Sequence, residues 1–503
     1  MFSSCSGGSS NTNILPDSHT STASNSQASS SSSASDPAPL SLVPQPTTMV
    51  VQKTTSEIGL SANVQIDVSA IASAAALQKL IANLGVIHSA DAPYKIQLQR
   101  VNNVDLGAEG YTLVIDQNIV ISAQTDAGLF YGIQTLKQLL PTVKQNTYSL
   151  PQLQITDVPQ YPWRGSMIDV GRNFFTIEYL QKHVERMALF KLNKLHLHLS
   201  DDQGWRVEIK KYPKLTSVGG STKVGGGEGG SYTQQELKDF VAFAALNEVE
   251  VIPEVDMPGH IQAAIASYNE LACSDVTNLG LYTGTAVGFS SLCLASSTVT
   301  YQFVEDVLAE LTEIFPSQYL HIGGDEIKND LYPQFIEKTN LIVKGLHKTM
   351  IGWEESSAGD ISADSLLQLW NDNYNIKSAT DRNIHLILSP CSYTYLDHGN
   401  YNGQPNTYTW CRSQGIPLEH VYSFDPDNYA LVVGIEAPLW SELVTTEATA
   451  DNRIWPRLAA IAELSWSTKS NRQYSQFVLR LSALKPQLDK LGVSYYKEPQ
   501  LNW

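Results

Sequence analysis

The chain has 503 residues, with 33 Lys and Arg against 50 Asp and Glu, giving a net charge of −17 and only 17% charged residues. That balance argues against a nucleic-acid partner, which needs clustered cations, and no apolar run approaches the roughly 20 residues that span a bilayer. The length exceeds one small core, and at about 150 residues per domain it suggests two or three domains, one of them large enough for an α/β barrel. The 9 Trp, 23 Tyr and 32 Gly suit a neutral polyhydroxylated ligand, although Trp and Tyr serve cores and interfaces equally well.

Residues 1–40 carry 15 Ser and no Lys or Arg. Such a composition buries too little apolar surface to order itself, so residues 1–41 are expected to be a disordered Ser-rich tether. Met1–Gly8 is small and polar, without the apolar core of a signal peptide. Cys5 fits two readings equally: a lipid-anchored cysteine on a stalk, if the true start lies upstream, or an incidental free thiol.

Residues 42–158 are expected to form a small α+β domain. Tyr111, Leu113 and Ile115 alternate with Thr112 and Val114 as in a half-buried strand, Asp116-Gln117-Asn118 turns, and Ile119–Ser122 returns. Thr125 caps a helix whose Leu129, Ile133, Leu136 and Leu140 share a face, ended by Pro141. Nothing there clusters catalytic groups.

From residue 159 to 503 the pattern becomes strand then helix, repeated. Strands are predicted at Ser166–Val170, Lys194–Leu199, Val249–Glu254, Tyr319–Ile322, Met350–Trp353, Leu366–Trp370, Ile384–Leu388 and Gly434–Trp440. Thr233 and Glu236 form a capping box that opens one intervening helix. Eight short apolar strands interleaved with helices predict a parallel (β/α)₈ TIM barrel. The Gly219–Gly230 stretch has seven Gly but no Gly-Lys-Ser/Thr, so it reads as a flexible loop at the barrel mouth rather than a phosphate cradle.

None of the five cysteines forms a CxxC pair, which argues against a zinc ribbon or a thioredoxin-like motif. Cys273 with Cys293 and Cys391 with Cys411 are each spaced to close one local loop. They are either two disulfides, in an extracellular or periplasmic protein, or four reduced structural thiols.

In a barrel of this kind the active site lies at the C-terminal strand ends. Those ends carry Asp169 and Arg172, Asp201 and Asp202, Glu254, Asp256 and His260, Asp325 and Glu326, Trp353-Glu354-Glu355, Trp370, Tyr395 and Asp397, and Trp440 with Glu442. Acid–base chemistry inside an aromatic pocket follows. Adjacent strand residues face opposite ways, so Asp325 and Glu326 share a ligand only where the strand has ended, and Gly323-Gly324 permit that backbone. Two carboxylates so close resist double ionisation, which prepares one as a general acid. His196 and His198 form an HxH on one strand face, but the later strand ends offer Trp, Tyr and acids rather than further ligands. No metal and no cofactor are expected, and the two histidines read as core or supporting groups.

Arg164-Gly165, Asp169 to Phe174, Lys194 to Trp205, Asp256-Met257-Pro258-Gly259-His260 and His321 to Glu326 together resemble the β-N-acetylhexosaminidases of glycoside hydrolase family 20. Gly110-Tyr111 and Ala127 to Gly132 in the small domain also match, so the resemblance covers roughly residues 50–503. It implies an exo-acting enzyme that removes terminal β-GlcNAc or β-GalNAc from oligosaccharides or glycoconjugates with retention of configuration. Glu326 would be the general acid/base, Asp325 would orient the substrate's own 2-acetamido group as nucleophile, and Tyr395 would hydrogen-bond the acetamido oxygen. Trp353, Trp370 and Trp440 would wall the acetamido pocket. Arg172, Asp397 and Glu442 would hold ring hydroxyls, and Asp201 with His260 would stand behind Glu326. Asn173 departs from the family pattern, which has His there. A disaccharide-releasing relative of the lacto-N-biosidase type, or a sugar-binding protein without catalysis, is the alternative.

Overall fold

The computed structural model describes residues 40–52, 57–61, 63–67, 74–145, 147–274 and 279–503. The expected tether and Cys5 therefore lie outside the described residues. Among the described residues, no helix is long and apolar enough to cross a membrane.

The first part of the chain builds a seven-stranded sheet in the spatial order Thr48–Val51, Leu153–Asp157, Tyr111–Ile115, Ile119–Ala123, Lys95–Arg100, Asn63–Asp67 and Ile87–His88. Tyr111, Leu113 and Ile115 are buried while Thr112 and Val114 are half-buried, as a period of two requires. The helix Asp126–Leu139 begins where Thr125, in extended conformation, accepts the Gly128 N–H at 3.1 Å. Its buried Leu129, Ile133 and Leu136 join a core with the sheet and with helix Ala74–Leu84.

A closed barrel of eight parallel strands follows: β1 (Trp163–Asp169), β2 (Lys194–His198), β3 (Glu250–Glu254), β4 (Tyr319–His321), β5 (Thr349–Trp353), β6 (Leu366–Leu369), β7 (His385–Leu388) and β8 (Val432–Leu439). Each lies within a few residues of its predicted position, and β8 closes onto β1 from Trp163↔Gly434 to Ile168↔Leu439. The register pairs Asp169 with His198, His198 with Glu254, and Glu254 with His321. Four polar residues therefore meet at one level of the rim.

Sheet and barrel are joined by buried cations. The Arg164 guanidinium donates to both carboxylate oxygens of Glu109 at 2.9 and 2.7 Å and lies 4.9 Å from the Trp466 ring. Lys191 pairs with Asp157 at 2.8 Å, and Asp157 also accepts the Trp466 indole N–H at 2.8 Å.

The Gly219–Gly230 stretch, predicted as a flexible loop, is anchored at both ends. The buried Arg206 guanidinium donates to the carbonyls of Val170, Gly171, Gly220, Thr222 and Gly230 at 2.6–3.0 Å. One fork of five N–H donors thus laces this loop to the turn after β1.

Candidate active site

The two adjacent carboxylates owe their position to backbone geometry. After β4 ends at His321, Gly323 and Gly324 take φ of +67° and +96°, and Glu326 itself takes +57°. A side chain at Gly323 would put its Cβ 1.8 Å from Asp256 Oδ1, the atom that accepts the Gly324 N–H at 3.0 Å. Only glycine fits that approach. The left-handed conformation of a non-glycine residue costs energy that the surroundings must offset, and it turns Glu326 back toward the pocket beside Asp325.

His260, also in the left-handed region at φ +50°, faces both carboxylates. Its Nε2 lies 3.5 Å from Glu326 and 3.8 Å from Asp325, while its Nδ1 lies 3.5 Å from Asp201. Burial opposes a charged ring, but the carboxylates of Asp201 and Asp325 overcome it and hold the imidazole pKa well above its ordinary value. Asp201 in turn pairs with Arg172 at 2.7 Å and with His198 at 2.9 Å. Burial raises its pKa, yet the cations lower it more, and it stays ionised throughout the physiological range.

Arg172, His260, Asp325, Glu326, Trp370, Tyr395, Asp397, Trp440 and Glu442 line one cavity of about 210 Å³. Among the described residues, Asp325 Oδ1, Asp397 Oδ1, Glu442 Oε2 and Arg172 Nε are buried and have no protein partner. Buried polar atoms are normally satisfied, so these three acceptors and one donor are arranged for a polyhydroxylated guest. Burial, together with the charges of Glu354, Asp325 and Asp397, pushes the Tyr395 phenol well above its usual pKa, so it remains a hydrogen-bond donor. Glu442 is pushed up to about 7 by burial and by Asp169 and Asp397, against the pull of Arg172.

Two predicted residues stand behind the cavity wall. Asp201 is buried under His260 and Arg172, and Trp353 is buried with its ring 5.8 Å from Trp440. The Arg172 guanidinium lies over the Trp440 ring, 4.8 Å from its centroid. Asn173, the departure from the family pattern, donates from Nδ2 to the Ser441 carbonyl at 2.7 Å and from its backbone to Ser441 Oγ at 3.0 Å. It therefore ties the first barrel loop to the residue preceding Glu442.

The cavity also takes Thr285, Val287, Tyr408 and Trp410, which the sequence did not single out. Trp410 is 56% exposed and stands 6.1 Å from Trp370 and 6.0 Å from Tyr395. The cysteines held the available signal. The pairs Cys273–Cys293 and Cys391–Cys411 are disulfides, with Cα–Cα distances of 4.7 and 6.1 Å. The first loop carries Thr285 and Val287, and the second carries Tyr395, Asp397, Tyr408 and Trp410. Glu355 was also left without a role, yet its carboxylate accepts the Trp370 indole N–H at 3.2 Å.

The HxH histidines are both committed to carboxylates. His196 stands 3.0 Å from Glu254 and 2.8 Å from Glu436, and His198 lies 2.5 Å from Glu254. A second cavity, of about 300 Å³, sits at the opposite end of the barrel, where Lys194 and Glu250 begin their strands. It gathers no comparable acid–base set.

Comparison with known proteins agrees with this geometry. Residues 161–334 and 329–469 match the catalytic domain of glycosyl hydrolase family 20, and residues 40–158 match domain 2 of the same family. A β-N-acetylhexosaminidase of Cellulomonas fimi is 34% identical over 425 residues, covering 82% of this chain and 85% of the relative. The solved structure of the family 20 β-N-acetylhexosaminidase from Streptomyces coelicolor superposes with a TM-score of 0.86 at 36% identity, covering 93% of this chain and all of that one. The Streptomyces plicatus N-acetyl-β-hexosaminidase, solved with Thio-NAglucal, gives 0.85 at 36% identity, covering 92% and 98%. With its catalytic barrel and its smaller domain both matched, the chain belongs to glycoside hydrolase family 20.

Proposed function

We propose that this enzyme removes single β-linked GlcNAc or GalNAc residues from non-reducing ends by retaining, substrate-assisted hydrolysis. The observation that carries the reading is the placement of Asp325 and Glu326 on one turn, within 3.8 Å of the same imidazole nitrogen. A retaining enzyme with a protein nucleophile sets its two carboxyl groups about 5 Å apart across the scissile bond. Adjacent residues on one turn are poorly placed for those opposed roles, which supports a nucleophile supplied by the substrate's own acetamido group.

In the first step Glu326 gives its proton to the glycosidic oxygen. The acetamido carbonyl oxygen attacks C1 as the C1–O bond breaks, leaving a cyclic oxazolinium whose N–H is balanced by the carboxylate of Asp325. Tyr395 donates to the acetamido oxygen and fixes it for attack. In the second step the Glu326 carboxylate takes a proton from water, whose oxygen opens the ring at C1. Two inversions give net retention, and Glu326 ends protonated as it began.

The cavity of about 210 Å³ and its unpartnered acceptors on Asp397 and Glu442 support release of one sugar at a time. The two disulfides support residence in an oxidising compartment, extracellular or periplasmic. The test is nitrophenol release from 4-nitrophenyl N-acetyl-β-glucosaminide by the wild-type enzyme and by Glu326→Gln, with the 2-hydroxy glucoside as second substrate. Turnover of the acetamido sugar alone, lost in the variant, is expected. Equal turnover of both sugars overturns the substrate-assisted route.

A further inference from the structure

Glu254 ends β3, fully buried beneath the cavity, and no step of the proposed reaction uses it. The barrel register sets His198 beside it on β2 and His321 on β4. Its Oε2 lies 2.5 Å from Nδ1 of His198 and 3.0 Å from Nε2 of His196. Its Oε1 accepts the Trp353 indole N–H at 3.0 Å and lies 3.1 Å from Nδ1 of His321.

Each contact leads to a different part of the site. His198 Nε2 reaches Asp201 at 2.9 Å, and Asp201 faces His260 and through it Glu326. The Trp353 ring packs against Trp440, 5.8 Å away and tilted by 41°. His321 Nδ1 stands 3.1 Å from the Gly323 amide nitrogen, at the start of the turn that delivers Asp325 and Glu326. Burial favours a neutral His198, but the charge of Glu254 and the bonds to Asp201 and Glu254 hold its pKa well above the ordinary value. Burial likewise favours a protonated Glu254, and its three histidines hold it well below the carboxylate range instead. An ion pair therefore lies under Asp201, in a medium where charges act strongly.

We propose that Glu254 is a positioning residue for the hydrolysis, one buried carboxylate that fixes the Asp201–His260–Glu326 relay through His198 and the sugar-facing Trp440 through Trp353. This rests on the assignment of Glu326 as the acid. The titratable groups facing Glu254 are His196, His198 and His321, with Asp256 beyond them, and those facing His260 are Asp201, Asp202, Asp256, Asp325 and Glu326. Removing the Glu254 charge lets His198 lose its proton. Asp201 then lacks one cationic partner, so His260 holds its proton to higher pH.

The test compares Glu254→Gln, Glu254→Asp and His198→Asn with wild type and Glu326→Gln on 4-nitrophenyl and methyl N-acetyl-β-glucosaminides. Thermal melts check that each variant is folded. Glu254→Gln is expected to lose roughly 100-fold in kcat, the scale of a misplaced catalytic group. The loss should be larger with the methyl leaving group, which needs the acid more, and the basic limb of kcat/KM should move downward, because a His260 that keeps its proton favours the ionised Glu326. Glu254→Asp should recover part of the rate. His198→Asn, which spares Trp353, should shift the limb with little change in KM, and it carries the test if Glu254→Gln does not fold. A folded Glu254→Gln with the wild-type limb and an equal loss on both leaving groups overturns the proposal. Failure of the Glu326 assignment is distinct, because Glu326→Gln would then retain activity.

Discussion

The Nε2 atom of His260 lies 3.5 Å from Glu326 while the opposite ring nitrogen lies 3.5 Å from Asp201, so one imidazole stands between the Glu326 carboxyl group and a buried anion. Substituting His260→Asn keeps a polar side chain but removes the charge. The expected loss in kcat is about 100-fold, within the range of general-acid contributions. It should be steeper for alkyl than for nitrophenyl leaving groups. A uniform loss across leaving groups would detach His260 from proton transfer.

Tyr395→Phe removes only the hydroxyl from a buried ring at the cavity wall. A donor aimed at an oxygen that gains charge during reaction contributes about 100- to 1,000-fold. We expect that loss in kcat with a small change in KM, read by steady-state kinetics. A rise in KM alone would make Tyr395 a ground-state contact.

Glu354 is buried, accepts the backbone N–H groups of Trp370 and Asn371, and has its pKa pushed up to about 9 by burial and by Glu355. The folded state therefore keeps a proton that the unfolded chain releases near pH 4.5. Between those values folding is linked to proton binding, so stability from this group is full below about 4.5 and is lost as pH rises toward 9. Glu354→Gln should flatten the fall of Tm from pH 5 to 9 relative to wild type. An identical slope in both proteins would show that Glu354 ionises normally.

Opening the Cys391–Cys411 disulfide frees the loop that carries Tyr395, Asp397, Tyr408 and Trp410. The double substitution Cys391→Ser with Cys411→Ser should lower unfolding free energy by about 3 kcal/mol through restored loop entropy. It should also raise KM and lower kcat together, since this loop carries both Asp397 and Tyr395. Urea melts and kinetics read the two effects separately. Loss of stability with unchanged KM would confine the disulfide to a scaffold role.

Arg164 is wholly buried between the sheet and the barrel, bound to Glu109 by two hydrogen bonds. Arg164→Met strands Glu109 and should cost about 3–5 kcal/mol. The melt should broaden as sheet and barrel uncouple, with kcat unchanged at temperatures where the variant is folded. A sharp transition at the wild-type Tm would contradict this.

The barrel was legible because its strands are short apolar runs separated by helical periodicity, signals that are local to each segment. Asp325 and Glu326 were legible too, since the two preceding glycines mark where a strand stops. Trp410 was not, because its pattern is that of any exposed loop aromatic, and only the closing of Cys391 onto Cys411 brings it beside Trp370 and Tyr395. Glu254 and Glu355 were hidden for a different reason. An acidic residue at a strand end reads the same whether it meets a sugar, an indole N–H or three imidazoles, and the choice is made by registers between strands far apart in the chain. The anchoring of the Gly-rich loop was hidden too, because the arginine that laces its ends stands before the loop and contributes nothing to its composition.

Arg172, Asp397 and Glu442 line the cavity with Asp325, where the proposed chemistry calls for an acetamido group. Under the proposed chemistry a chain end is trimmed residue by residue until the first sugar whose amine is bare, and there it stops. The products left from a partly deacetylated polymer would then record where its acetyl groups were missing, and an enzyme of that chemistry would read the pattern as it degraded the chain.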